Sequence, residues 1–159
     1  MKLVICAVGR LKAGPERELA ERYLARSADL ARQLRLGGPR LAEVPEGRAR
    51  DAPSRLREEW TALAVKSEGA ARIALDERGK NLTTAAFGAR LMKYRDAGAT
   101  ALAFLIGGPD GLAAEAREAA DEAISFGAMT LPHQLVRILV LEQIYRTLTI
   151  RLGHPYHRP

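Results

Sequence analysis

The chain has a single cysteine, Cys6, set inside an apolar run. An intrachain disulfide is excluded, and a buried, unreactive thiol is the expectation. No apolar stretch is long enough to span a bilayer. The apolar part of the opening MKLVICAVGR is too short for a secretory signal. A cytoplasmic protein with no membrane partner is therefore expected. The dinucleotide fingerprint GxGxxG is missing after the first apolar run, where the chain reads Val8-Gly9-Arg10-Leu11-Lys12. The phosphate-loop pattern GxxxxGKS/T is missing throughout. Nicotinamide and P-loop chemistries lose ground accordingly. No group of His, Cys and carboxylate residues has metal-ligand spacing, and His154 with His157 would make only half a site. No metal is expected. Acidic residues stop at Glu142, whereas Arg146, Arg151 and Arg158 follow it, and His133, His154 and His157 are the three histidines of the chain.

What is present points to one domain. A chain of 159 residues, 47% hydrophobic and 28% charged, has the length and composition of one globular unit with a real core. The formal net charge of +6 favours a polyanionic partner, with nucleic acid ahead of a membrane surface. The free basic charge is concentrated at the C-terminal end.

Hydrophobic periodicity alternates strand and helix five times. Residues 1–8 read as a buried strand closed by Gly9. Leu19, Tyr23, Leu30 and Leu34 give residues 15–34 helical spacing, and Gly37-Gly38-Pro39 breaks it. A short strand at 40–44, a charged loop at 46–50 and a helix over 52–66 follow, with Pro53 suited to a first turn. Residues 72–75 form a third strand. Thr83 or Thr84 caps a helix running through Arg95. Residues 101–106 are a continuous apolar strand, 113–123 a helix, and 124–131 a last strand and loop. Pro132 starts a long helix to about residue 152. The pattern predicts an α/β fold, a mostly parallel sheet with helices on both faces.

In such sheets, ligands bind beyond the carboxyl ends of the strands. Three ends stand out: Leu75-Asp76, Gly107-Gly108 and residues 126–131. The glycine pair admits close backbone approach to a ligand. Taken alone, it reads first as a tight strand-to-helix turn. The last helix is apolar beyond one stripe: Ile138, Leu141, Tyr145, Leu148 and Leu152 form one face, and Val136, Val140 and Ile144 continue around the side. A face shared with a second subunit is the favoured reading, and a single thick core is the alternative. His133 and Arg137, four residues apart, share a face near the helix start. Their bland readings are a first-turn histidine and a surface ion-pair partner.

Several segments are similar to one family. Ala7-Val8-Gly9-Arg10-Leu11-Lys12, Leu75-Asp76-Glu77-Arg78-Gly79-Lys80 and Leu105-Ile106-Gly107-Gly108-Pro109-Asp110-Gly111-Leu112 occur in order. Met129-Thr130-Leu131-Pro132-His133-Gln134-Leu135-Val136-Arg137, Glu142-Gln143-Ile144-Tyr145-Arg146 and His154-Pro155-Tyr156-His157-Arg158 complete the set. Together they resemble the ribosomal RNA large-subunit methyltransferase H family of the SPOUT superfamily, over nearly the whole chain. Residues 37–56 match least, being richer in arginine and proline. The resemblance implies a C-terminal trefoil knot, a homodimer joined through the knot helices, and S-adenosylmethionine as methyl donor. It implies methylation of N3 of a pseudouridine in a stem-loop of 23S rRNA on the assembled ribosome. The residues it assigns to the donor are Leu75, Gly107, Gly108, Phe126, Gly127, Ala128, Met129, Thr130 and Leu131.

Methyl transfer from a sulfonium needs no metal. It needs a nucleophile held in line and, for a protonated N3, proton removal or stabilisation of the resulting anion. His133, Tyr156 and His157 are candidates to accept the proton or orient the base, and Arg137 to stabilise charge. Arg151, His154 and Arg158 are candidates for RNA contacts. The tail is expected to carry Tyr156 and His157 into the donor site, its own or a second subunit's. An unordered end is the alternative. Other readings are a SPOUT enzyme acting on another RNA such as tRNA, a non-enzymatic ribosome-binding domain, and, last, a phosphoester hydrolase.

Overall fold

A computed structural model describes residues 1–156. Ten elements alternate: β1 (Lys2–Val8), α1 (Pro15–Gln33), β2 (Gly37–Val44), α2 (Ala52–Lys66), β3 (Ala71–Asn81), α3 (Thr84–Asp96), β4 (Ala101–Ile106), α4 (Ala114–Glu118), β5 (Glu122–Ser125) and α5 (His133–Arg151). The strands form one parallel sheet in the order β2-β1-β4-β3-β5.

The continuous apolar runs of β1 and β4 follow from burial on both faces. In β1, Leu3, Ile5 and Ala7 point to one side, and Val4, Cys6 and Val8 to the other. In β4, Leu102, Phe104 and Ile106 alternate with Ala103 and Leu105 in the same way. The first set packs with α1, α3 and α5, and the second with α2 and α4. Each fully buried Leu, Ile or Phe contributes about 1.5–3 kcal/mol, so β1 and β4 anchor the molecule.

Helix ends follow local chemistry. Asp51 caps α2 by accepting from the Ser54 amide at 2.8 Å, with Pro53 in the first turn. Thr83, the first of the two expected candidates, caps α3 through the Ala86 amide at 3.2 Å. Gly88 lets α3 lie close to α5, since a Cβ there would come within 3.1 Å of Thr147. Helix α5 buries Ile138, Val140, Leu141, Ile144, Tyr145 and Leu148 against α1, α3 and the sheet, so much of its apolar breadth is satisfied within the one chain.

Three segments differ from the sequence expectation, the first being β3, which runs on to Asn81 beyond the expected 72–75 because residues 80 and 81 pair again with β5. The breaker Gly37-Gly38-Pro39 lies inside β2: the Gly37 amide donates to the Met1 carbonyl at 2.9 Å. A Cβ on Gly38 would stand 2.6 Å from the Leu3 carbonyl oxygen, so glycine is what lets this strand start join β1. The alanine-rich segment 113–123 is helical only over Ala114–Glu118. Glu122 and Ala123 pair instead with Ile73 and Ala74 of β3. Glu122 is held there by Arg90 at 2.6 Å and the Tyr94 hydroxyl at 3.1 Å, and these long-range contacts override helix propensity.

Candidate functional site

The irregular stretch after Leu75 within β3 and the carboxyl ends of β4 and β5 open into one cleft of about 630 Å³. Residues 75–78, 106–112, 124–127 and 129–133 line it, with Arg117 and Val136. The three strand ends singled out in the sequence therefore meet.

Each wall has its own device. Leu75 and Lys80 both register against Ile124, so residues 76–79 step out of the ladder and form one wall. Gly79 then rests on the Ile124 backbone, where a Cβ would come within 2.6 Å. The second wall is the loop after β4. A Cβ on Gly107 would lie 2.1 Å from the Gly111 carbonyl oxygen, and the Gly111 amide donates to the Gly108 carbonyl at 3.0 Å. Only glycine at 107 permits that closure. Asp110 ties the loop to α2 through Arg55 at 2.8 Å. The third wall turns at Ser125, whose hydroxyl accepts from the Gly127 amide at 3.0 Å and donates to the Gly127 carbonyl at 2.7 Å.

The cleft combines apolar surface (Leu75, Ile106, Phe126, Leu131, Val136) with carboxylates at its rim. Asp76 accepts from Arg78 Nε at 2.9 Å and from the Arg78 amide at 3.0 Å, and Arg117 stands 3.7 Å away. The Arg78 hydrogen bond holds the Asp76 carboxyl below its ordinary range, so it is ionised. The Thr130 hydroxyl donates to Glu77 at 3.4 Å across the cleft.

His133 lines the cleft from the start of α5. A Cβ on Gly9 would sit 3.0 Å from Glu46 Oε1 and 3.4 Å from His133 Nε2, so both side chains converge on that glycine. Burial, and then the Arg137 charge, push the imidazole pKa below its ordinary value, with Glu46 opposing them. The neutral, proton-accepting form is favoured. Arg137 shares the face of His133 but does not line the cleft. It is fully buried, donating to the Val8 carbonyl and, at 2.9 Å, to Glu43. Glu43 also accepts the Leu11 amide at 2.7 Å.

The other expected site residues divide cleanly. Leu75, Gly107, Gly108, Phe126, Gly127, Met129, Thr130 and Leu131 line the cleft. Ala128 is exposed in the same turn without lining it. Arg151 and His154 are exposed at the far end of α5. Tyr156 folds back on the middle of that helix, edge-on to Tyr145 at 4.8 Å and beneath the Arg146 guanidinium at 5.0 Å. That point is roughly three turns, about 18 Å, along the helix from His133. His157 and Arg158 lie outside the described residues. The cleft also holds Asp76, expected only as the end of a strand, and Glu77, Arg78 and Arg117, for which the sequence expectation has no role. The first three stand in a motif already quoted, directly after Leu75, and that adjacency was the available signal. Arg117 carries none, because the fold alone brings it to Asp76. Among the described residues no group of His, Cys, Asp and Glu is placed to hold a metal, and no helix is long and apolar enough to cross a membrane.

Comparison with known proteins places the chain. A family model described as predicted SPOUT methyltransferase matches residues 1–157. The ribosomal RNA large subunit methyltransferase H of Nitrobacter hamburgensis is 54% identical over 159 residues, with 99% of each chain covered. That of Bradyrhizobium sp. (strain ORS 278) is 52% identical, covering 99% of this chain and 98% of its own. The solved structure of a probable methylase family protein from Haemophilus influenzae Rd KW20 shares the fold, with a TM-score of 0.55 at 10% identity, covering 99% of this chain and 70% of that one. Matched by the family model over residues 1–157 and by relatives 52% and 54% identical over the full length, the chain belongs to the ribosomal RNA large subunit methyltransferase H family of SPOUT methyltransferases.

Proposed function

We propose that this chain methylates large-subunit ribosomal RNA, taking the methyl group from S-adenosylmethionine and placing it on N3 of a pseudouridine in a 23S rRNA stem-loop of the assembled ribosome. The observation that carries the reading is the meeting of the turns at residues 75, 107 and 126 in one cleft. Its residues fit such a donor. Leu75, Phe126, Leu131 and Val136 offer apolar contact to a flat heterocycle. A Cβ at Gly127 would meet nothing within 4 Å, so there is open space beside that turn for a ligand. Arg78 and Arg117 compensate the Asp76 carboxylate, so Glu77 at the same wall is the carboxylate left to meet a cationic ligand. When bound, S-adenosylmethionine supplies a methyl group on a sulfonium whose leaving group is a neutral thioether.

The protein's own part is placement and proton handling. His133, neutral and at the cleft wall, accepts the N3 proton as the nucleophile is held in line. Arg137, locked on Val8 and Glu43, fixes the position of α5 beneath that imidazole. Two further expectations complete the reading. Helix α5 returns from the edge strand β5 to pack on both α1 and α3, which supports a chain threaded into a trefoil knot. Exposed Met129 just before α5 and Leu135 in its first turn, and the distance of Tyr156 from its own cleft, support a homodimer in which each tail serves the partner's site with Tyr156 and His157 and meets RNA with Arg158. Arg151 and His154 then contact RNA beside it.

Titration calorimetry with S-adenosylmethionine, and methylation of ribosomes mapped by mass spectrometry, test the reading. Donor binding with one modified 23S pseudouridine is expected. A modified tRNA instead would change the substrate, and no donor binding with ribosome association intact would favour a non-enzymatic binding domain. Deleting residues 154–159 separates the tail's role, since retention of both binding and methylation would remove it.

A further inference from the structure

Two loops beside the cleft share an unusual construction: carboxylates hold their backbones while their cationic side chains stay free. In the first, the Leu11 amide donates to Glu43 at 2.7 Å, and Arg10 and Lys12, its neighbours in the chain, are exposed. In the second, the Gly47 amide donates to Glu59 at 2.9 Å and the Arg48 amide to Glu58 at 2.7 Å. Arg55 donates to the Ala49 carbonyl at 3.3 Å and the Arg50 carbonyl at 2.9 Å. The same Arg55 grips Asp110 of the glycine loop at 2.8 Å, so the second loop is fastened directly to the cleft wall. Arg10, Lys12, Arg48 and Arg50 are all exposed, and none makes an ion pair among the described residues.

These loops follow β1 and β2, on the same edge as the cleft. Two strand spacings, about 10 Å, separate β2 from β4. Gly9, where His133 and Glu46 converge, immediately precedes Arg10. Four free cations on stiffly held loops therefore flank the end of the cleft where His133 sits. Cations carried on a held backbone meet phosphates without the ordering cost of a floppy loop, and arginine forks match phosphate oxygens in pairs. The large apolar side chains that are exposed, Val65, Met129, Leu135 and Tyr156, all lie outside these loops, so nothing here suits insertion into a lipid surface.

We infer that Arg10, Lys12, Arg48 and Arg50 form a docking rim for the RNA backbone, gripping phosphates flanking the nucleotide presented to His133. The inference rests on the proposed rRNA activity and adds the surface that holds the substrate. It places that surface in the first half of the chain, apart from the basic C-terminal tail.

The test compares three full-length proteins binding 70S ribosomes across a salt series, with calorimetric donor binding on each. One is unchanged. One carries Arg10→Gln, Lys12→Gln, Arg48→Gln and Arg50→Gln. The control carries Lys2→Gln, Arg35→Gln, Lys66→Gln and Lys93→Gln, which remove equal charge at the opposite edge. The rim variant is expected to bind about tenfold or more weakly at low salt, with a log–log salt slope lower by about two to four, since each lost phosphate contact removes about 0.7–0.9. Donor binding stays unchanged, and the control keeps the wild-type slope. A rim variant with the wild-type slope, or a control that loses as much, overturns the inference and leaves the enzymatic reading standing. Absence of donor binding in all three overturns that reading instead.

Discussion

Arg137 and Glu43 are 94 residues apart in sequence and 2.9 Å apart in the fold. The guanidinium is fully buried, and the carboxylate reaches it from the end of β2. One ion pair thus fixes the start of α5 to the strand ends beside the cleft.

Removing the carboxylate strands a charge in the core. Glu43→Ala is expected to lower stability by about 3 kcal/mol in denaturant unfolding, and it also frees the Leu11 amide. Arg137→Met, which fills the space without a charge, should cost less. Equal losses in the two variants would show that the pair is not what holds the helix.

The glycine loop offers a paired comparison. Alanine at 107 brings a Cβ 2.1 Å from the Gly111 carbonyl oxygen, whereas at 111 nothing lies within 4 Å and only the φ of 82° is unfavourable. Gly107→Ala should weaken donor binding by about tenfold or more, equivalent to about 1.4 kcal/mol. Gly111→Ala should cost about 1–2 kcal/mol of stability with donor binding nearly intact. Calorimetry and thermal unfolding separate the two.

Proton acceptance by His133 has a sign that can be checked. Its pKa lies below the ordinary 6.5, so the imidazole is neutral at pH 7 and is lost as a base only on acidification beneath that value. Glu46 opposes the shift, so Glu46→Gln should move the acid limb of the methylation rate further down in pH. His133→Asn should abolish that limb. An unaltered profile in His133→Asn would assign the proton to another group.

Cys6 should be inert. Burial pushes its thiol up to about 11, and the side chain is fully covered. Thiol reagents at pH 8 are expected to react only after denaturant unfolds the chain. Stoichiometric labelling of the native protein would mean that β1 opens readily.

The alternation of strand and helix, the burial of β1 and β4, and the three strand ends of the cleft were all legible, because each rests on local periodicity or turn chemistry. What escaped depends on partners distant in sequence. Gly38 reads as a breaker until Leu3 lies beside it. Residues 119–123 read as helix until β3 offers a ladder. Arg137 reads as a charge-stabilising site residue or, more plainly, a surface ion-pair partner, since nothing near it announces Val8 and Glu43 as its buried acceptors. Tyr156 reads as a site residue, yet within its own chain it rests on Tyr145 and Arg146.

Residues 76–79 leave the sheet and rejoin it opposite the same Ile124 that Leu75 faces. The length of this excursion is therefore uncoupled from the alignment of the strands around it. Inserting a residue between Glu77 and Arg78 would reshape the cleft while every ladder on either side kept its partners. The depth of the cleft can therefore change from one sequence to another while the strand alignment stays the same.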